Sequence, residues 1–340
     1  MADMEIEVTL EERPAPDRPY VRPDVEAFLN YVNSVPGPKM HELPPEGARA
    51  IYHAMKDIAD PPVGELATIA DFRVSGSGGD IPVRLFDPRP SREPGPVVVF
   101  FHGGGFVIGN IETHASFCAE MARQLDLPVV SVDYRLAPEA KWPAAPDDCE
   151  AAARWVAGNP AELGRTATGL VLCGDSAGGT LTITTAMALR DSPAAVPVLV
   201  QAPIYPAADM ARDDYPSFAA FADGYVLTRD GMIWFGEHYG ADMSDYRGSP
   251  MTGDLTGLPP AVVITASLDP IRDQGRAYAA ALIEAGIPVT YREAVGNIHG
   301  FITIRQGIPS SQGDVAGYLA QVKAAIVEAE AQRVMAQAAG

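Results

Sequence analysis

The sequence predicts an α/β protein built on a mostly parallel, mixed sheet with helices on both faces. Three observations predict it. Short runs that are apolar on both faces recur through the chain, helix-length segments separate most of them, and a hairpin pattern leads the series. A strand covered by helices on both sides needs no polar face, so it reads as a continuous apolar run.

Residues 1–23 are polar and proline-rich and predict a meander. Val25, Phe28, Leu29 and Val32 follow i, i+3, i+4, i+7 spacing and predict a helix over about 24–35. Ile51, Met55 and Ile58 form a second stripe behind Pro44 and Pro45, predicting a helix over about 46–59. Segments 69–75 and 81–86 flank Gly76–Gly79 as a hairpin would. Strands are then predicted at Val97–Phe101, Pro128–Val132, Leu170–Cys173, Val198–Gln201, Ala261–Ala266 and Val289–Glu293. Helices are predicted near 114–126, 146–158, 177–191, 272–286 and 314–336. The stretch 205–259 breaks this rhythm and reads as an insertion with one helix at 229–240.

Composition narrows the function classes. Of 340 residues, 47% are hydrophobic and 20% charged, enough for a large core and too apolar for disorder. The balance 25 − 44 = −19 leaves no basic patch for nucleic acid or an anionic membrane surface. No apolar run approaches the ~18 residues a membrane span needs. The N-terminus is acidic without an apolar signal core, so a cytoplasmic location is expected. Cys118, Cys149 and Cys173 are odd in number and form no CxxC, which argues against a disulfide framework or zinc ribbon. The six histidines show no metal-ligand spacing, so no metal and no cofactor are expected.

Two glycine-rich motifs carry chemistry. Gly174-Asp175-Ser176-Ala177-Gly178-Gly179 fits G-x-S-x-G between a predicted strand and a predicted helix. Such a sharp turn exposes a strained serine hydroxyl, and glycines on either side avoid Cβ clashes. The helix N-terminus behind it favours developing negative charge. A phosphate-loop reading of Gly174 to Thr180 lacks its lysine. The second motif is His102-Gly103-Gly104-Gly105-Phe106, at the end of a predicted strand. Backbone N–H groups there, with that of Ala177, would make an oxyanion hole. A dinucleotide-binding turn through Gly103, Gly105 and Gly109, with Asp133 for a ribose, competes. It fails because no helix starts at the third glycine, and it leaves Ser176 unexplained. Tyr52-x3-Lys56, a pattern suggestive of reductases, precedes the first strand and so lies in the wrong place.

A serine nucleophile needs a base and an acid, in the order Ser, Asp/Glu, His for this sheet type. Only His238 and His299 follow Ser176. His238 lies in the insertion's helix beside Trp234, as a packed or surface residue would. His299 follows the last strand, at the carboxyl edge where open α/β sheets place their sites. Asp269, at the end of the strand before, is favoured as the acid over Asp273, which reads as a helix-start residue.

HGGGF at 102–106, DYRLAPE at 133–139, GDSAGG at 174–179, Leu268-Asp269-Pro270 and His299-Gly300-Phe301 occur together and in order. With them the chain resembles the hormone-sensitive-lipase-like esterases, the bacterial family IV carboxylesterases of the α/β-hydrolase fold, over roughly residues 68–335. The resemblance implies Ser176, Asp269 and His299 as a catalytic triad, and Gly104, Gly105 and Ala177 as oxyanion donors. It implies a serine carboxylesterase acting on short- to medium-chain acyl esters through an acyl-enzyme. It further implies an N-terminal cap segment at 1–67 and a catalytic domain at 68–340 with a cap insertion at about 205–259. The DYRLAPE residues Asp133, Arg135 and Glu139 are expected as a buried polar support for the site's loops. A homodimer through a strand edge is a family habit. Amide or lactone hydrolysis would use the same triad. The ligand-binding hormone receptors of this fold have lost the histidine that His299 supplies here.

Overall fold

A computed structural model describes residues 19–339; the first 18 residues of the expected N-terminal segment lie outside the described residues. Helices α1 (Pro23–Ser34) and α2 (Pro45–Ala59) come first, each with proline in its first turn, where its missing N–H costs nothing. Strands β1 (Thr68–Gly76) and β2 (Gly79–Asp87) form the antiparallel hairpin. The alternation follows: β3 (Gly95–Phe101), α3 (Ile111–Leu125), β4 (Val129–Val132), α4 (Ala144–Ala157), β5 (Ala167–Asp175), α5 (Ala177–Asp191) and β6 (Val198–Ile204). Between β6 and the next strand lies the insertion. It holds α7 (Arg229–Tyr239), as expected, and a short α6 (Pro216–Ala220) that the sequence did not announce. Then come β7 (Ala261–Leu268), α8 (Arg272–Glu284), β8 (Val289–Ile298) and α9 (Ser311–Ala339).

The strands form one sheet in the order β1-β2-β4-β3-β5-β6-β7-β8, parallel from β4 onward and antiparallel at β1, β2 and β4. Its central strands are buried on both faces: Val97, Val99 and Phe101 join the core beneath α4, α5 and α8, while Val98 and Phe100 face α3 and α9. Strand order reverses around β3, so the carboxyl ends of β3 and β5 meet at a switch point.

A third core cluster ties the chain's beginning to the sheet's carboxyl edge. Val25 and Leu29 of α1 pack with Phe221 of the insertion and with Leu268, Ile298, Ile304 and Ile308. Asn33 also donates to the Gly224 carbonyl at 3.1 Å. The stripe expected on α2 is corrected: Ile51 and Ile58 are 45% and 69% exposed. The inward face instead runs through Ala48, Tyr52 and Ala59, because α2 sits close to a backbone loop and bulky side chains would hold it off. From that face Arg49 donates to the carbonyls of Val107 and Ala137, each at 2.8 Å.

Candidate active site

Ser176 directly follows β5 and precedes α5, at φ 55° and ψ −117°. An L-residue is strained there, and the surroundings impose it. The Ser176 amide donates to the Ile204 carbonyl at 2.9 Å, and its carbonyl accepts the Thr180 amide at 3.1 Å. No room exists for side chains on either flank. A Cβ on Gly174 would stand 2.3 Å from the Gly178 carbonyl oxygen, and one on Gly178 only 1.9 Å from that of Phe101.

His299 and Asp269 arrive from the carboxyl ends of β8 and β7. His299 Nε2 lies 2.9 Å from Ser176 Oγ, and His299 Nδ1 lies 2.7 Å from Asp269 Oδ2. A carboxylate only accepts, so Nδ1 carries the proton and Nε2 is left to accept from the serine hydroxyl. Asp269 is fully buried, and its second oxygen accepts the Ile271 amide at 2.9 Å. Asp273, the less favoured alternative, is turned elsewhere. It accepts the Ser217 amide at 3.0 Å and pairs with Arg272 and Arg276, pinning α6 to the start of α8. His238 Nδ1 donates to the Trp234 carbonyl, 2.8 Å away within α7, and plays no part in the cluster.

The loop after β3 approaches Ser176 from the side. Gly104 has φ +120° and Gly105 φ +57°, and the amides of neither donate to a protein group among the described residues. Ala177 is the first residue of α5, where an amide has no carbonyl four residues back to reach. The insertion presses on this loop. A Cβ on Gly105 would lie 2.3 Å from the Phe235 ring, and Phe106 stacks on Tyr239 with centroids 3.8 Å apart.

Three side chains that the sequence reading passed over complete the surroundings. Asp175 donates no chemistry to the triad but accepts the Gly103 amide at 2.7 Å. Burial would raise its carboxyl, yet His114 and the Gly103 amide outweigh burial and hold it below the ordinary carboxylate value. His114 of α3 is its neighbour at 3.2 Å, and Tyr205 donates to it at 3.3 Å while its ring leans on His299, centroids 4.5 Å apart. The signal for Asp175 was its place inside the elbow motif; nothing marked His114.

The DYRLAPE expectation is corrected in part. Glu139 is exposed and pairs with Arg49 of α2 at 2.6 Å, and Arg135 grips Asp148 at 2.8 Å from a half-buried position. The buried support is Tyr134, whose hydroxyl donates to the His102 carbonyl at 2.7 Å while its ring stacks on His102. Charged side chains at this loop find partners near water, and the aromatic residue takes the interior. Among the described residues, no group of three His, Cys, Asp or Glu side chains is placed to hold a metal, and no helix is long and apolar enough to cross a membrane. All three cysteines are buried, unpaired thiols.

Residues 98–303 match the family described as alpha/beta hydrolase fold. Carboxylesterase NlhH of Mycobacterium tuberculosis is 40% identical over 290 residues, 83% of this chain and 90% of that protein. Ethyl acetate hydrolase of Pseudomonas putida is 33% identical over 294 residues, 83% of this chain and 92% of that protein. Among solved structures, the hyperthermophilic esterase of the archaeon Pyrobaculum calidifontis superposes with a TM-score of 0.83 at 35% identity, covering 90% of this chain and 99% of that one. The chain belongs to the alpha/beta hydrolase family. Within it, the chain is one of the hormone-sensitive-lipase-like members.

Proposed function

We propose that this chain, a carboxylic ester hydrolase, works through Ser176 as nucleophile, His299 as base and Asp269 as the acid that orients it. The observation that carries the reading is the continuous pair of hydrogen bonds from Ser176 through His299 to Asp269, at 2.9 and 2.7 Å. Ser176 Oγ attacks the ester carbonyl as its proton passes to His299 Nε2. The buried carboxylate stabilises the imidazolium, which then protonates the leaving alcohol. Water repeats the sequence on the acyl-enzyme. The amides of Gly104, Gly105 and Ala177 receive the oxyanion, each free of other protein acceptors among the described residues and backed by the N-terminus of α5.

The substrates are short- to medium-chain acyl esters. Phe235 closing on Gly105 supports a shallow pocket, and an ethyl acetate hydrolase among the relatives fits it. Residues up to 67 and the insertion at about 205–259 act together as a cap, a reading supported by the shared packing of Val25, Leu29 and Phe221. The edge strand β8, with Val295 53% exposed, supports a homodimer; light scattering that gives the monomer mass at micromolar concentration would rule it out. Three unpaired thiols support a cytoplasmic location, which cell fractionation tests. For the catalytic reading, hydrolysis of p-nitrophenyl esters of increasing chain length is measured with and without a serine-directed phosphonate. Hydrolysis that persists after stoichiometric phosphonate treatment, or label found away from Ser176, overturns it.

A further inference from the structure

Beneath the glycine loop lies a buried acid–base cluster that the triad does not use. Asp175 is 3% exposed and His114 fully buried, and His114 Nε2 stands 3.2 Å from Asp175 Oδ1. Asp175 also holds the Gly103 amide at 2.7 Å, immediately before the two glycines assigned to the oxyanion.

Counting donors places the protons. Thr113 Oγ1 has one proton and donates it to the Asn110 carbonyl at 2.8 Å, while accepting the Asn110 amide at 3.0 Å. His114 Nδ1 lies 2.9 Å from that same oxygen, and with the Thr113 proton on the Asn110 carbonyl it is Nδ1 that donates there. A bare Nε2 would then aim its lone pair at a buried carboxylate, with nothing to offset the repulsion. At 3.2 Å from Asp175, Nε2 has no well-aligned hydrogen-bond partner among the described residues. A neutral N–H gains little from a poorly aligned contact, whereas an ion pair depends mainly on distance.

We propose that His114 is a resident imidazolium whose ion pair with Asp175 positions Gly103, and through it the oxyanion donors Gly104 and Gly105. This rests on the oxyanion reading above. The pair explains how a carboxylate can sit beside a site that develops negative charge: its partner cancels a charge that would otherwise oppose the oxyanion. The other groups nearby leave the pairing unopposed. Tyr52 of α2 and Tyr205 face the pair, and burial, followed by the Asp175 charge, pushes both phenols up, so they stay neutral. Asp60 is taken by Arg305 at 2.9 Å. His102, its ring 5.6 Å from that of His114, donates from Nδ1 to the Gly103 carbonyl at 2.8 Å. Burial and then the His114 charge push His102 down to about 3, so it is neutral. Asp133 lies 4.0 Å from His102 on its far side, and His299 meets Asp175 only across the elbow. His114 is therefore a positioning residue, one that never touches substrate.

The test reads the proton directly. In wild-type protein labelled with 15N-histidine, the His114 ring signals are identified by their loss in His114→Gln. The expected spectrum at neutral pH shows protons on both ring nitrogens of His114 and on only one of His102. A single bare nitrogen on His114 overturns the proposal. His114→Gln keeps an N–H toward Asp175 without the charge. Its kcat on p-nitrophenyl acetate is expected to fall about 10- to 100-fold with KM near wild type, less than the ~10²–10³ of losing a whole oxyanion donor. Wild-type kcat in a folded His114→Gln also overturns the proposal. Phosphonate labelling separates this inference from the triad: Ser176 labelled beside a neutral His114 sinks the inference alone, while an unlabelled Ser176 sinks the catalytic reading.

Discussion

Asp269→Asn removes a charge, keeps the shape, and lets the neighbouring hydrogen bonds decide the outcome. Asp269 Oδ1 accepts the Ile271 amide at 2.9 Å and Oδ2 meets His299 Nδ1 at 2.7 Å, with the carboxylate fully buried. Asparagine offers one acceptor and one donor. The Ile271 amide can face only the acceptor, so the NH2 group turns to His299. The ring must then protonate on Nε2, the nitrogen 2.9 Å from Ser176 Oγ, and it can no longer take the serine proton. Flipping the amide back would leave the Ile271 N–H facing another donor, at about 1–3 kcal/mol, or roughly a 5- to 150-fold smaller working population. Loss of the carboxylate charge opposite the imidazolium adds to this, and the best-studied triad of this kind loses about 10⁴ in kcat on the same change. Asp273→Asn is the control, because its carboxylate serves Ser217, Arg272 and Arg276 and none of these touches His299. The assay is steady-state hydrolysis of p-nitrophenyl acetate, with active sites counted by phosphonate. An Asp269→Asn kcat within tenfold of wild type refutes the reasoning, and a larger loss in Asp273→Asn would move the acid role there.

Ser176→Ala should abolish all but a residue of turnover while leaving the melting temperature near wild type, since the hydroxyl contributes little packing; wild-type turnover would end the assignment. Phe235→Ala should open space over Gly105 and shift the preferred p-nitrophenyl ester toward longer acyl chains; an unchanged chain-length series would place Phe235 outside the acyl pocket. Asp175 is held below the ordinary carboxylate value, so its stabilisation is complete above about pH 4 and is lost as pH falls through its lowered folded value. Asp175→Asn should therefore flatten the fall in urea-unfolding free energy below that pH, and parallel curves for the two proteins would contradict this.

What the sequence made legible was whatever is local. The elbow glycines, the both-face-apolar strands and the order of Ser176, Asp269 and His299 are each written in short runs, because a turn or strand answers to its own residues. The chain's inward faces were less legible. On α2 the apolar stripe of Ile51 and Ile58 points to water, and the buried face carries Ala48 and Tyr52, since close approach to a backbone loop favours small and hydrogen-bonding residues over bulk. His114 looked like any residue of an amphipathic helix. Its meaning comes from Asp175 and Tyr205, which the fold brings to it from β5 and from the loop after β6. α6 is five residues long, too short to show a period, and its anchor to Asp273 lies 56 residues away.

The clamp at Arg22 bears on how the chain is made. Arg22 donates to the Val295 carbonyl across 273 residues and to Asp314 across 292. Val25 and Leu29 likewise wait for Leu268, Ile298 and Ile308 before they are covered. At the ribosome's ~5–20 residues per second, roughly 15–60 s pass between the emergence of α1 and that of its partners. Through that interval α1 has an apolar face and no sheet to lay it on, while β1 to β5 can already pair. The segment that leaves the ribosome early is thus among the last to settle, and it settles over residues flanking Asp269 and His299. Closure of the site waits on residues 268–308, so a nascent chain stalled before Ile308 would carry a formed serine elbow under an open edge.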